Sequence, residues 1–237
     1  MFSQDFKLHC ECIDAFKMLI NNQSLNILEI LDLIFKWSLV RLADSGNTKF
    51  SINIFDFFAV LIVHLKDCQY KLWDFEAAVI VPLLCEKTGL NNHILKEKVK
   101  TLIKMVFDIC DTQKCYTLIV SHGLNSKNLV AQAECLDEIA EFILKEGIDY
   151  SGEKEMKLVA KMADNPSKAI RENALKVLGE AFKHLNENIW RVIGDVTPKV
   201  QGLLEQRFKK LKGGPLNSSL QTLQPSQSMQ SLRPQTA

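Results

Sequence analysis

Ile170-Arg171-Glu172-Asn173-Ala174-Leu175, placed just after the break Asp164-Asn165-Pro166, is the stretch that decides the fold. Its frame is an apolar residue, a basic or polar one, two variable positions, then a small or apolar residue. The frame returns at Leu95-Lys96-Glu97-Lys98-Val99, at Ala131-Gln132-Ala133-Glu134-Cys135 and, more faintly, at Leu8-His9-Cys10-Glu11-Cys12. The interval is roughly 36 to 45 residues, enough for two helices and their turns. A unit of that size cannot bury its apolar face alone, so successive units must stack into a continuous core.

Each copy opens a helical pattern. Ile170, Ala174, Val177, Leu178, Ala181, Phe182 and Leu185 form one apolar stripe of period 3.6, with Arg171, Glu172, Lys176, Glu180 and Lys183 facing away. One unit earlier, Ala131, Cys135, Ile139, Phe142 and Ile143 repeat the stripe, and Asp137, Glu138 and Glu141 are assigned to a solvated outer side. No run alternates in the manner of a strand, so the expected fold is all-α. The breaks place helix pairs at 4–20 with 25–43, 48–66 with 74–88, 93–110 with 114–124, 127–146 with 154–163 and 167–185 with 187–194, then a capping helix at 198–211. Thr197 before Pro198, and Asp74 before Phe75-Glu76, read as helix starts, while Gly89, Gly123 and Gly147 read as stops. About six such pairs make a slab of roughly 50 Å that offers an extended edge and no deep pocket.

Composition narrows the function. A formal net charge of +1, with 47% hydrophobic and 24% charged residues, supplies no global field for nucleic acid or an acidic membrane. The apolar stretch 25–43 carries charges throughout, and 55–65 is shorter than the about 20 residues a bilayer requires, so both read as core helices and no membrane partner is expected. Seven cysteines without a secretory leader read as reduced thiols of a cytosolic protein. Cys10-x-Cys12 and Cys110-x4-Cys115 lack a second pair at zinc spacing, and no metal or cofactor is expected. There is no phosphate loop, nucleophile elbow or H-E-x-x-H motif, and the five histidines are dispersed over different units, which argues against an enzyme. After Lys212 the chain turns to Gly213-Gly214-Pro215 and a Ser, Gln, Leu and Pro mixture without acids, expected to be a disordered linker or tail over 213–237. The helical region, 1–212, then reads as one module of a longer chain.

The paired helices with Asp…Ile-Arg-x-x-Ala signatures resemble HEAT repeats. A narrower resemblance, in the same order along residues 1 to about 211, is to the fourth TOG domain of the ch-TOG and mini spindles family of microtubule polymerases. It is carried by Met1-Phe2-Ser3-x-Asp5-Phe6, Leu31-Asp32-Leu33-Ile34-x-Lys36-Trp37, Ala133-Glu134-Cys135-Leu136-x-Glu138 and Leu204-Glu205-x-Arg207. The resemblance implies a flat HEAT-repeat α-solenoid, a paddle whose intra-repeat loops line one edge and bind αβ-tubulin. It also implies further TOG domains in the same longer chain, and a place in the cytoplasm on microtubules, spindle and centrosome.

On this chain those loops fall at about 20–25, 67–74, 111–114, 147–154 and 184–188. The site residues implied are Asn21, Asn22 and Gln23 in the first, Tyr70, Lys71 and Trp73 in the second, Thr112, Gln113 and Lys114 in the third, Lys154 in the fourth and Asn186 in the fifth. Early-type TOG domains carry a tryptophan in the first loop, and Asn21-Asn22-Gln23-Ser24 departs from that. Tyr70 and Lys71 are expected at the surface. Trp73 is either an exposed interface anchor or a staple tucked beneath the following helix. Lys114 and Lys154 stand near helix starts, where a cation opposes the dipole, and Lys154 occupies the place of a capping-box glutamate after Ser151. Each lysine is either a contact for acidic tubulin or plain solvated charge. The competing reading of the whole is a HEAT or armadillo adaptor that binds another protein on its helical face without tubulin contact.

Overall fold

The computed structural model describes residues 5–22, 27–44 and 47–212. Gln23, the Met1-Phe2-Ser3 start and the 213–237 tail lie outside the described residues. Within them the chain is a run of α-helices with no strand: α1 (Phe6–Asn21), α2 (Leu31–Asp44), α3 (Thr48–Asp67), α4 (Asp74–Lys87), α5 (His93–Ile109), α6 (Thr112–Leu118), α7 (Leu129–Glu146), α8 (Glu153–Met162), α9 (Lys168–Leu185), α10 (Ile189–Ile193) and α11 (Pro198–Lys212). These make five antiparallel pairs and a capping helix. α2 starts later than expected because a 3₁₀ turn, Ile27–Ile30, precedes it, and α6 passes into a π-helical turn at Ile119–Gly123.

The recurring frame has a common structural address. Leu8, Phe50, Leu95, Ala131 and Ile170 are each the third residue of α1, α3, α5, α7 and α9. Just before these five helices stand Asp5, Asn47, Asn92, Asn128 and Ser167. The first four accept from an amide of the first turn through their side chains, which satisfies an otherwise orphaned donor and contributes about 1 kcal/mol each. At Ser167 the arrangement differs, with its own N–H donating to Asn165 Oδ1 at 2.9 Å. Gly147 ends α7 at φ +86°, a left-handed stop that glycine adopts without a Cβ penalty. Gly123 is required for a different reason, since a Cβ there would meet Cys135 Sγ at 2.6 Å.

The first helices of the pairs lie side by side, α1 on α3, α3 on α5, and α7 on α9, with α11 closing the row against α9. The second helices form the opposite layer, and the core between the layers holds Phe35, Phe50, Phe58, Leu61, Leu102, Ile139, Leu178 and Leu204. α3 is long and apolar enough to cross a membrane, longer than the stretch 55–65 suggested, so length alone does not decide against a span. Its packing does: Phe50, Ile54, Phe57, Phe58 and Leu61 are buried between neighbouring helices, as expected of a core helix.

Neighbouring first helices are also joined by polar rungs in register. Asn53 donates to the Cys10 carbonyl at 3.4 Å and Asn173 to the Ala133 carbonyl at 2.7 Å, each from the same position of its helix. Ion pairs continue the ladder: Lys98 with Asp56, Lys96 and Lys100 with Glu134, Lys104 with Glu141, and Lys176 with Asp137. The acids of α7 are therefore not the solvated outer face expected of them. Asp137 and Glu141 bridge to neighbouring helices, and Glu138 is only 4% exposed. The reason is geometric. In a stacked array the face of one helix that looks outward in isolation is flanked by the next helix of the row.

The row has a seam. The backbones of α5 and α7 approach less closely than those of α3 and α5 or of α7 and α9, and side chains rather than backbone packing span the gap. The two halves are held together from the other layer, where α4 and the π-helical turn pack on α7. A groove of about 890 Å³ opens on the seam.

Candidate functional site

Because consecutive helices are antiparallel, the described loops inside the pairs gather on one long edge. Two of the joins between loops are direct. The Leu72 N–H donates to the Ile109 carbonyl at 2.8 Å, tying the second loop to the third, and the Tyr116 and Ser151 hydroxyls lie 2.8 Å apart, tying α6 to the fourth loop. Beneath the third and fourth loops Phe142 collects the rings of Phe107, Tyr116 and Tyr150, with centroids at 4.7, 5.3 and 5.9 Å.

The second loop is built around Glu76. This carboxylate is 3% exposed, accepts the Trp73 N–H at 2.8 Å and receives the Tyr70 hydroxyl at 3.0 Å. The helix starts at Asp74, as the sequence indicated, with acid in its first turn; Trp73 is the cap position, and Glu76 supplies the backward bond of a capping box. Tyr70 is correspondingly half-buried instead of exposed, and burial, with Glu76 beside it, pushes its phenol up to about 12. With its backbone held in this way, the Trp73 ring stays 64% exposed and is no staple. Phe75, 55% exposed, stands beside it in the first turn of α4.

The lysines of the edge divide. Lys71 is exposed and donates to the Asp108 carbonyl at 2.7 Å, while the Asp108 carboxylate takes Lys66 at 2.6 Å. Lys114 is half-buried and paired with Asp74 at 3.1 Å, and its own amide donates to the capping Asp111 at 2.8 Å. The unfavourable placement against the α6 dipole is thereby offset by two carboxylates, so Lys114 is committed to holding α4 and α6 together. Lys154 is exposed and has no ion pair among the described residues. It is not in a capping-box position, because Gly152 is the cap of α8, which puts Glu155 rather than Lys154 three residues on. Ser151 spends its hydroxyl on Tyr116.

Of the remaining expected residues, Asn21 and Asn22 are exposed at the end of α1, Thr112 is half-buried at the start of α6, and Gln113 is exposed next to it. Asn186 is exposed at φ +49° after α9, and α11 reaches over to this last loop through a Lys212–Glu187 ion pair. Trp190 packs edge-on against Phe208 of the capping helix at 5.5 Å. The structure therefore brings Tyr70, Lys71, Trp73, Thr112, Gln113 and Lys114 together, sets Lys154 just past the Tyr116–Ser151 join in the first turn of α8, and leaves Asn21, Asn22 and Asn186 toward the two ends. Sequence reasoning missed Phe75, Glu76 and Asp108. Phe75 was legible, since it shares a helical face with Ala78 and Glu86, both exposed, and not with the buried Ala77, Ile80 and Leu84. Among the described residues no group of His, Cys, Asp and Glu could hold a metal ion.

No protein-family model matches the chain. Its sequence is 32% identical over 210 residues to Protein MOR1 of Oryza sativa subsp. japonica, covering 88% of this chain and 10% of that protein. It is 26% identical over 212 residues to Protein mini spindles of Drosophila melanogaster, covering 90% and 10%. The chain thus spans about a tenth of the length of these curated relatives. A solved structure, reported for TOG–tubulin binding specificity that promotes microtubule dynamics and mitotic spindle formation, superposes with a TM-score of 0.82 at 25% identity, covering 88% of this chain and 79% of that one. The ordered sequence pieces, the five-pair paddle and these likenesses agree, and the chain is a TOG domain of the ch-TOG and mini spindles family.

Proposed function

We propose that this domain binds αβ-tubulin through its loop edge, as one non-enzymatic module of a microtubule polymerase that acts on cytoplasmic microtubules, the spindle and the centrosome. The observation that carries the reading is the second loop. Trp73 and Phe75 stand solvent-exposed beside Lys71, on a backbone held by the Leu72–Ile109 hydrogen bond and the Glu76 cap. A rigid aromatic pair next to a cation is the composition of an interface anchor, and little side-chain entropy remains to be lost on binding. The relatives' names and the neighbour's reported tubulin binding support the choice of partner.

The assigned contacts are Tyr70, Lys71, Trp73, Thr112, Gln113 and Lys114 on the second and third loops, with Lys114 acting as a brace, Lys154 on the fourth, and Asn21, Asn22, Gln23 and Asn186 on the first and last. The domain resembles a fourth TOG domain, with residues 213–237 as the linker to further TOG domains of the longer chain. Weak contacts joined by linkers gain through effective concentration, so a modest single-domain affinity suffices. The test is microtubule pelleting and size exclusion with unpolymerised tubulin across a salt series, for the unaltered chain and for Trp73→Ala with Lys71→Ala. Salt-sensitive binding weakened by the double change is expected, and binding to neither form of tubulin refutes the reading.

A further inference from the structure

The groove on the α5/α7 seam carries one charge too many. Its walls are the later turns of α5 (Lys104, Met105, Phe107) and of α7 (Glu138, Glu141, Phe142), with Lys176 and Glu180 of α9 beyond. The other charges around it are matched: Lys104 with Glu141, Lys100 with Glu134 and Asp137, Lys176 with Asp137, Lys145 with Glu146, and Glu180 with Lys183. Glu138, 4% exposed, makes no hydrogen bond or ion pair with any described residue. Burial is the main cause that lifts its carboxyl to about 7, with Glu141 and Asp137 adding to it against the pull of Lys104 and Lys100. A buried carboxylate left without a cation is costly, so the site gains from an occupant that brings one. Beside the carboxylate the groove offers aromatic surface, since the Phe107 and Phe142 rings stack at 4.7 Å and both line it.

We propose that this groove is a docking site for an arginine of a partner protein, carried on a short segment between apolar residues, the guanidinium pairing with Glu138 and its neighbours lying against Phe107 and Phe142. Charge complementarity selects this occupant. One unmatched negative charge calls for one positive charge. A second cation on the segment would meet Lys104 or Lys176, and an acid would meet Glu141 or Glu180, so the flanking residues must be uncharged. Arginine fits better than lysine. Its planar guanidinium is more weakly hydrated than an ammonium, can pair with a carboxylate through two donors and can lie on an aromatic face. Size selects a segment over a lone cation, because about 890 Å³ is the volume of a site that encloses a ligand of several side chains. Lys71 and Thr112 line the groove as well as the loop edge, so the segment would lie beside the second and third loops. Its docking goes beyond the tubulin contact and does not depend on it.

The test titrates a panel of short, end-blocked peptides, each with one arginine between leucine or phenylalanine residues, into the full 237-residue chain. Binding is read by ¹³C NMR from the Glu138 carboxyl and the Phe142 ring. Matched peptides carry citrulline, which keeps the shape of arginine without its charge. At about pH 8 the best arginine peptide should bind about tenfold or more tighter than its citrulline match, and Glu138→Gln should erase the preference. The carboxylate must be ionised to pair, so affinity should weaken by up to about tenfold per pH unit as pH falls below 7, and the Glu138→Gln chain should show no such slope. The citrulline comparison and the pH slope need no change in the protein, so a variant that folds poorly leaves the test intact. Equal binding of arginine and citrulline peptides, an affinity flat with pH, or no binding by any peptide at millimolar concentration overturns the proposal. Agmatine, a guanidinium on an alkyl stem without a peptide backbone, separates the sources. If it binds as tightly as the best peptide, the groove is a small-cation site and the assignment to a protein segment is wrong.

Discussion

The middle and the ends of the loop edge are built differently. In the middle, the second loop is cross-linked to the third by the Leu72–Ile109 backbone bond and α6 to the fourth loop by Tyr116–Ser151, over the rings gathered on Phe142, while Lys71–Asp108 and the exposed Lys114–Asp74 pair add little. At the C-terminal end, Asn186 stands in a left-handed conformation, and the last loop is joined to the capping helix by the exposed Lys212–Glu187 pair. Exposed ion pairs contribute little, whereas backbone bonds and buried rings do not yield to solvent. The difference teaches where a partner can be met without ordering the loops first, and it places the proposed anchor, Trp73 with Lys71, on the braced part.

Four changes sharpen or break that contrast. Phe142→Ala removes the ring shared by Phe107, Tyr116 and Tyr150 and should cost about 3 to 5 kcal/mol in chemical denaturation. A much smaller loss would mean the middle is not braced from beneath. Glu76→Gln leaves the shape but weakens the acceptor of Trp73 N–H and the Tyr70 hydroxyl, and about 1 to 3 kcal/mol should be lost. Its signature is optical: the Tyr70 phenol, raised to about 12, should titrate closer to its ordinary 10. The sign for stability follows, because a folded-state phenol that keeps its proton longer than the unfolded one stabilises the fold fully below pH 10. That contribution is lost as pH rises from 10 through about 12, and Glu76→Gln should shrink the loss.

Trp73→Ala should leave stability nearly unchanged, the ring being exposed, yet weaken microtubule pelleting by about tenfold. Equal pelleting by the Trp73→Ala and unaltered chains would move the contact to the ends. The smallest effect belongs there. Asn186→Gly relieves a left-handed backbone and should stabilise by about 0.5 kcal/mol or less, with no change in pelleting if the binding energy sits in the middle.

Much of the architecture was legible because HEAT-type packing is local and periodic. Leu95, Ala131 and Ile170 announced the openings of their helices, and Thr197 before Pro198 announced the capping helix, its hydroxyl accepting from the Val200 amide at 3.4 Å. Phe50-Ser51-Ile52-Asn53-Ile54 in α3 fits the same frame, apolar, polar, two variable positions and apolar, so this copy was legible as well. A regular cap, Asp or Asn immediately before each of the first four leading helices, was an available signal of comparable strength.

What the sequence by itself determined was the all-α class, the number of helix pairs, the position of the loops and the family resemblance, since each depends on short-range spacing and local cap chemistry. Tertiary structure alone decided the state of the charges and rings. Glu138 and Glu76 became buried, Lys114 was drawn onto Asp74, and Trp73 was left in solvent. The partners that settle these outcomes lie one repeat away along the chain or across a helix cap. A single helix's periodicity carries no record of which neighbour its polar face will meet once the repeats stack.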